Sequence, residues 1–175
     1  TNMKALEVLD FSHNKIHSLP SDLYDLKELQ ELYLNSNELT DLPHASDLPF
    51  MILPLVRHLD ISRNKIKILD NRIGLFTGVE KLLAQHNCIK SIAEPMDTLT
   101  KISYLDMSYN ELEEITPDGD HLGGCSSLTY IDMSHNRLRS MPPSMVKCTD
   151  LIKMDLSYNF LRELIGRVFA MMPSR

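Results

Sequence analysis

A nine-residue phrase recurs seven times along this chain, and no other feature constrains its fold as strongly. Aligned on the closing Asn, the copies are LEVLDFSHN ending at Asn14, LQELYLNSN at Asn37, VRHLDISRN at Asn64 and VEKLLAQHN at Asn87, then ISYLDMSYN at Asn110, LTYIDMSHN at Asn136 and LIKMDLSYN at Asn159. The repeats begin near residues 6, 29, 56, 79, 102, 128 and 151, and successive Asn residues are 23, 27, 23, 23, 26 and 23 positions apart. Apolar slots continue two residues past each Asn (Ile16, Leu39, Ile66, Ile89, Leu112, Leu138, Leu161) and five residues past it. One such unit cannot bury its apolar side alone, so neighbouring units must stack to make a core.

Within each phrase, the alternation around the LxL triplet predicts a short strand with Leu-type residues inward and the residues between them outward. Strands of successive repeats then pair in parallel. The Asn is a polar residue at a bend between two apolar slots, where its amide can satisfy backbone groups that leave the strand. Asn14, Asn37, Asn64, Asn87, Asn110, Asn136 and Asn159 are therefore read as a structural ladder rather than as catalytic groups. The phrase LxxLxLxxNxLxxL at this period resembles the leucine-rich repeat (LRR) family over nearly the whole chain. That resemblance implies an α/β solenoid: a curved horseshoe of about seven repeats, with a parallel β-sheet on its concave face and short helices or turns on its convex face. It also implies a single domain over 1–175 that works by binding other proteins.

The return path is periodic as well. Leu23, Phe50, Ile73, Met96, Leu122 and Met145 lie 14 residues before the later Asn residues. Leu26, Leu53, Phe76, Leu99, Cys125 and Cys148 lie 11 before. These should line the convex wall, so Cys125 and Cys148 are expected to be buried and inert, whereas Cys88, next to Asn87, should be exposed. Two longer repeats place extra residues at Pro43–Pro49 and around Thr116–His121, expected to bulge from the edge or convex side. Val168 and Met171 fill the last convex slots without a polar cap, which suggests that flanking repeats or domains belong to the parent chain.

The outward residues of the strands and of the turns after them are the candidate site. They comprise Tyr33, Asp60, Arg63, Lys81, Leu83, Tyr104, Asp106, Tyr109, Tyr130, Asp132, Asp155 and Tyr158. Tyrosine gives rigid area with a polar tip and is favoured at interface centres. Asp106, Asp132 and Asp155 follow one another on consecutive strands, and Leu83 stands where other repeats carry Asp. The seventh-position residues, mostly Ser, are expected on the same face, and its histidines are expected to be solvated.

Charge and composition narrow the partners. The 18 Lys and Arg against 24 Asp and Glu leave a net charge of −6, which disfavours nucleic acid. Hydrophobic residues at 43% and charged residues at 24% are globular usage. The longest uncharged apolar stretch, Leu48 to Val56, contains two prolines and is too short to insert in a membrane. The sequence carries no HExxH, GxSxG, phosphate-cradling Gly loop or metal-like Cys/His spacing, so neither an enzyme nor a metal or cofactor is expected. Three cysteines without a CxxC pair point to a cytoplasmic, reducing location. The expected function is a protein–protein interaction module of intracellular signalling or scaffolding, whose partner carries a basic segment. Two alternatives stand beside it: a regulatory segment of a multidomain enzyme such as a kinase, phosphatase or cyclase, and a receptor or adhesion ectodomain on the extracellular side.

Overall fold

The computed structural model describes residues 3–42, 52–92, 96, 98–113, 122, 125–141 and 143–163. The extra segments Pro43–Pro49 and Thr116–His121 and the terminal slots Val168 and Met171 lie outside the described residues, as does Phe50.

Each phrase forms a strand only three residues long, at its third to fifth positions. The strands are β1 (Val8–Asp10), β2 (Glu31–Tyr33), β3 (His58–Asp60), β5 (Lys81–Leu83), β7 (Tyr104–Asp106), β8 (Tyr130–Asp132) and β9 (Lys153–Asp155). They pair in parallel, in chain order, as one seven-stranded sheet. Register is strict, with Leu32, Leu59, Leu82, Leu105 and Ile131 directly opposite one another along the array. A second, two-stranded parallel sheet joins β4 (Ile68–Leu69) to β6 (Ser91–Ile92) where the chain turns away from the main sheet. The return path includes three short 3-10 helices, Ser21–Asp25, Asn71–Leu75 and Pro143–Lys147. Asp70 caps the second of these by accepting from the Arg72 backbone N–H, and the Arg72 guanidinium forks back onto the same carboxylate. Its Nη1 also donates to Asp41 and to the Leu42 carbonyl, tying the third repeat to the second.

The core is the set of stacked columns. Leu34, Ile61, Ala84, Met107 and Met133 are fully buried behind the strands, as are Leu39, Ile66, Ile89, Leu112 and Leu138 beyond the Asn. On the return side Leu23, Ile73, Met96, Leu122 and Met145 are buried, with Leu26, Leu53, Phe76, Leu99, Cys125 and Cys148 beside them. Burial pushes the Cys148 thiol pKa up, which makes it less reactive. Cys88, expected to be exposed, is half-buried, and its backbone N–H bonds to the Ile66 carbonyl of the repeat before. The slots of the first and last strands stay partly open, as at Leu9 and Met154.

Candidate functional site

The site is the outward surface of β2, β3, β5, β7, β8 and β9 and of the tight turns that follow them. Those turns share a construction wherever the strand ends in Asp, which excludes the turns after Tyr33 and Leu83. The Asp at the strand end accepts the backbone N–H of the residue two further on, at 2.8–2.9 Å for Asp10, Asp60, Asp106, Asp132 and Asp155. The residue just before the Asn then takes a left-handed conformation in every repeat: His13, Ser36, Arg63, His86, Tyr109, His135 and Tyr158 have φ between 53° and 58°. Each such non-glycine residue costs on the order of 1 kcal/mol, which the bonds on either side of it offset.

The Asn supplies those bonds. Asn110 Nδ2 donates to the Ala84 carbonyl of the preceding repeat at 3.0 Å and to the Met107 carbonyl of its own at 3.1 Å. Its Oδ1 accepts the Ile89 N–H of the preceding repeat at 3.0 Å. Asn37, Asn64, Asn87, Asn136 and Asn159 repeat the same exchange with the residues equivalent to these. Among the described residues Asn14, in the first repeat, bonds only to the Phe11 and Ser12 carbonyls of its own turn.

This construction holds the outward side chains in three rails that run across the strands. The first rail is aromatic: the Tyr104 and Tyr130 rings stack at 4.2 Å and 2°. Lys81 Nζ stands 5.3 Å from the Tyr104 ring centre and Lys153 Nζ 4.9 Å from that of Tyr130, so the outer ring faces are capped by cations. Burial, together with a hydroxyl hydrogen bond to Tyr130, pushes the Tyr104 pKa up to about 12. The second rail is acidic, with Asp106, Asp132 and Asp155 in direct cross-strand register. Hydrogen bonds from Ser157 lower the Asp155 pKa. The third rail alternates His86, Tyr109, His135 and Tyr158, stacked ring on ring at 4.5, 4.1 and 4.1 Å.

Every candidate residue named from the sequence is on this surface, but they are not one cluster. Tyr104, Asp106, Tyr109, Tyr130, Asp132, Asp155 and Tyr158 are brought together on β7–β9. Lys81 joins them as the cap of the first rail, and Leu83 lies in register between Asp60 and Asp106. Tyr33 stands apart, donating to Glu31 at 2.7 Å and facing His58 at 5.0 Å; the bond to Glu31 pushes its pKa up to about 12. Arg63 is at the His86 end of the third rail, and its charge adds to burial in lowering the His86 pKa.

Two expectations are corrected here. Ser62, Ser108 and Ser134 are buried rather than outward, because the strand has already bent into the turn at the seventh position, and the Ser108 hydroxyl points back to Asp106 at 2.7 Å. His58, His86 and His135 are half-buried rather than solvated, whereas His13 is exposed as expected. His86 and His135 are sandwiched in the third rail, and burial lowers the His58 pKa, with Lys81 adding to the effect. His86, His135 and Lys153 were absent from the candidate set; the alternation of His and Tyr at the eighth position was the signal for the first two.

Comparison with known proteins agrees with this architecture. The profile for Leucine Rich repeats (2 copies) matches residues 4–49 and that for Leucine Rich Repeat matches residues 127–148. The human PH domain leucine-rich repeat-containing protein phosphatase 1 is 33% identical over 140 residues, covering 65% of this chain and 8% of the phosphatase. The adenylate cyclase of Schizosaccharomyces pombe is 28% identical over 120 residues, covering 67% of this chain and 7% of the cyclase. The chain thus spans less than a tenth of either relative. Among solved structures, an internalin C2 of Listeria monocytogenes matches with a TM-score of 0.72 at 18% identity, covering 95% of this chain and 67% of that one. No helix among the described residues is long and apolar enough to cross a membrane.

Proposed function

Because the chain belongs to the leucine-rich-repeat family, we infer that it is a protein-interaction module whose partner docks on the concave strip of β7, β8 and β9. One observation carries the reading. The tyrosines of that strip are outward yet already ordered by stacking, so little side-chain freedom is lost when a partner covers them. The strip's aspartates form no ion pair among the described residues, whereas half-buried Glu38 and Glu111 do. An unpaired acidic rail steers a basic segment, so the partner is a protein with such a segment. Cys88, Cys125 and Cys148 form no disulfide with one another, which supports a reducing, cytoplasmic setting.

A second reading has its own support. The matches to a phosphatase and a cyclase, each many times longer than this chain, favour a regulatory segment of a multidomain enzyme. In that case the docked partner is a protein or domain that governs the enzyme, and the concave strip is still the surface used.

The test is a substitution series against the physiological partner. Tyr130→Ala should weaken binding by about 2 kcal/mol, chiefly through faster dissociation. Asp132→Asn should slow association and flatten its salt dependence. Lys147→Ala, on the convex 3-10 helix, should change neither rate. Loss of affinity on convex substitutions alone would reject the concave reading.

A further inference from the structure

The three rails together are more selective than an acidic surface. We propose that the concave strip is an arginine-reading site, centred on Asp106 and Asp132, for an arginine-bearing segment of the partner protein; this rests on the concave reading above.

Asp106 and Asp155 each spend Oδ1 on the N–H and hydroxyl of the serine two residues on, and Asp132 spends Oδ1 on the Ser134 N–H. Among the described residues, no bond engages Oδ2 of Asp106 or Asp155, and Asp132 Oδ2 has only a long 3.4 Å contact from the Tyr130 hydroxyl. The turn bonds therefore fix the orientation of the carboxylates and leave their outer oxygens as aligned acceptors, one strand spacing apart, about 4.8 Å.

The walls on either side add acceptors rather than ring faces. Stacking covers the faces of Tyr104, Tyr130, Tyr109 and His135, so these rings meet a partner with their edges and polar tips. A lysine ammonium would find neither an open ring face nor a reason to prefer this trough to any other acidic patch. A guanidinium is flat, carries five donors in a fixed fork, and can reach two neighbouring carboxylates and a phenol oxygen at once. Lys81 and Lys153 stand at the two ends of the Tyr104–Tyr130 stack and repel cations there. They frame the space over Asp106 and Asp132 as the position where a positive group is best held.

The test uses fluorescence anisotropy with two synthetic 12-residue probes, one alternating Arg and Ala and one alternating Lys and Ala, at about 0.15 M salt, where surface steering alone is screened. The Arg probe is expected to bind about tenfold more tightly than the Lys probe. Asp132→Asn should weaken the Arg probe about fivefold or more, and Tyr130→Phe, which keeps the stack and removes the hydroxyl, about threefold. Glu28→Gln, away from the strip, should leave both probes unchanged. Equal affinity for the two probes, lost alike in Asp132→Asn, overturns the arginine reading while the basic-segment reading stands. Failure of both probes to bind also overturns it, and the partner series with Tyr130→Ala then decides the concave reading by itself. Far-ultraviolet circular dichroism of each variant shows whether a loss is one of fold or of binding.

Discussion

Asn110→Ala is expected to lower the unfolding free energy by roughly 1–3 kcal/mol. The side chain is 8% exposed and serves two repeats at once. Its loss strands the Ile89 N–H and takes one of two Asn donors from the Ala84 carbonyl, which keeps Asn87, and from the Met107 carbonyl, which keeps Asn136. The Ile89 N–H is buried where water enters only if the turn opens, and such an unsatisfied group carries a penalty of about 1–3 kcal/mol. Asn14→Ala provides the internal comparison, because among the described residues that exposed Asn bonds only within its own turn. It should cost less than half as much. Urea melts of the two variants check the order, and equal losses would mean that the ladder between repeats adds nothing beyond the turn itself.

Gly78→Ala should be at least as damaging, at about 3 kcal/mol. A Cβ at this position would lie 2.0 Å from the Pro54 carbonyl oxygen and 3.1 Å from that of Val56. Both contacts are to backbone, so no side chain can rotate out of the way. The loops that lead into β3 and β5 would have to move apart, which lengthens the β3–β5 pairing at the middle of the sheet. Thermal unfolding of Gly78→Ala should begin at a lower temperature, with amide exchange of Lys81 and Leu82 rising first. A melt unchanged from the parent chain would show that this seam can relax freely.

The repeat made the fold legible. A period near 23 with two apolar columns on each side of an Asn leaves few alternatives to a stacked parallel sheet, and the buried columns are those the period picks out. Gly78 was not legible, because its counterparts one repeat away, Leu55 and Lys101, carry side chains. The close approach depends on how two particular repeats nest. The site was legible as a surface and misread in depth. Strict alternation placed Ser62, Ser108 and Ser134 outward, whereas the turn begins at the Asp and rotates the chain by one position, burying them. The same rotation swings His86, Tyr109, His135 and Tyr158 into line. Their stacking needs a left-handed backbone at each position, which is unusual for His and Tyr and invisible in a list of outward residues. Capping of the Tyr104–Tyr130 stack by Lys81 and Lys153 likewise follows from register across four strands rather than from any one phrase.

The central claim is that function resides on the strip of β7–β9. Oxidative footprinting of tyrosine side chains in the complex with the physiological partner tests it most directly. Tyr109 and Tyr158, which are 46% and 75% exposed in the free chain, should become protected, and Tyr130 with them. Buried Tyr24 should react slowly in both states. Unchanged reactivity of Tyr109, Tyr130 and Tyr158 in a saturated complex would contradict the account and move the binding surface to the edge or convex side of the solenoid.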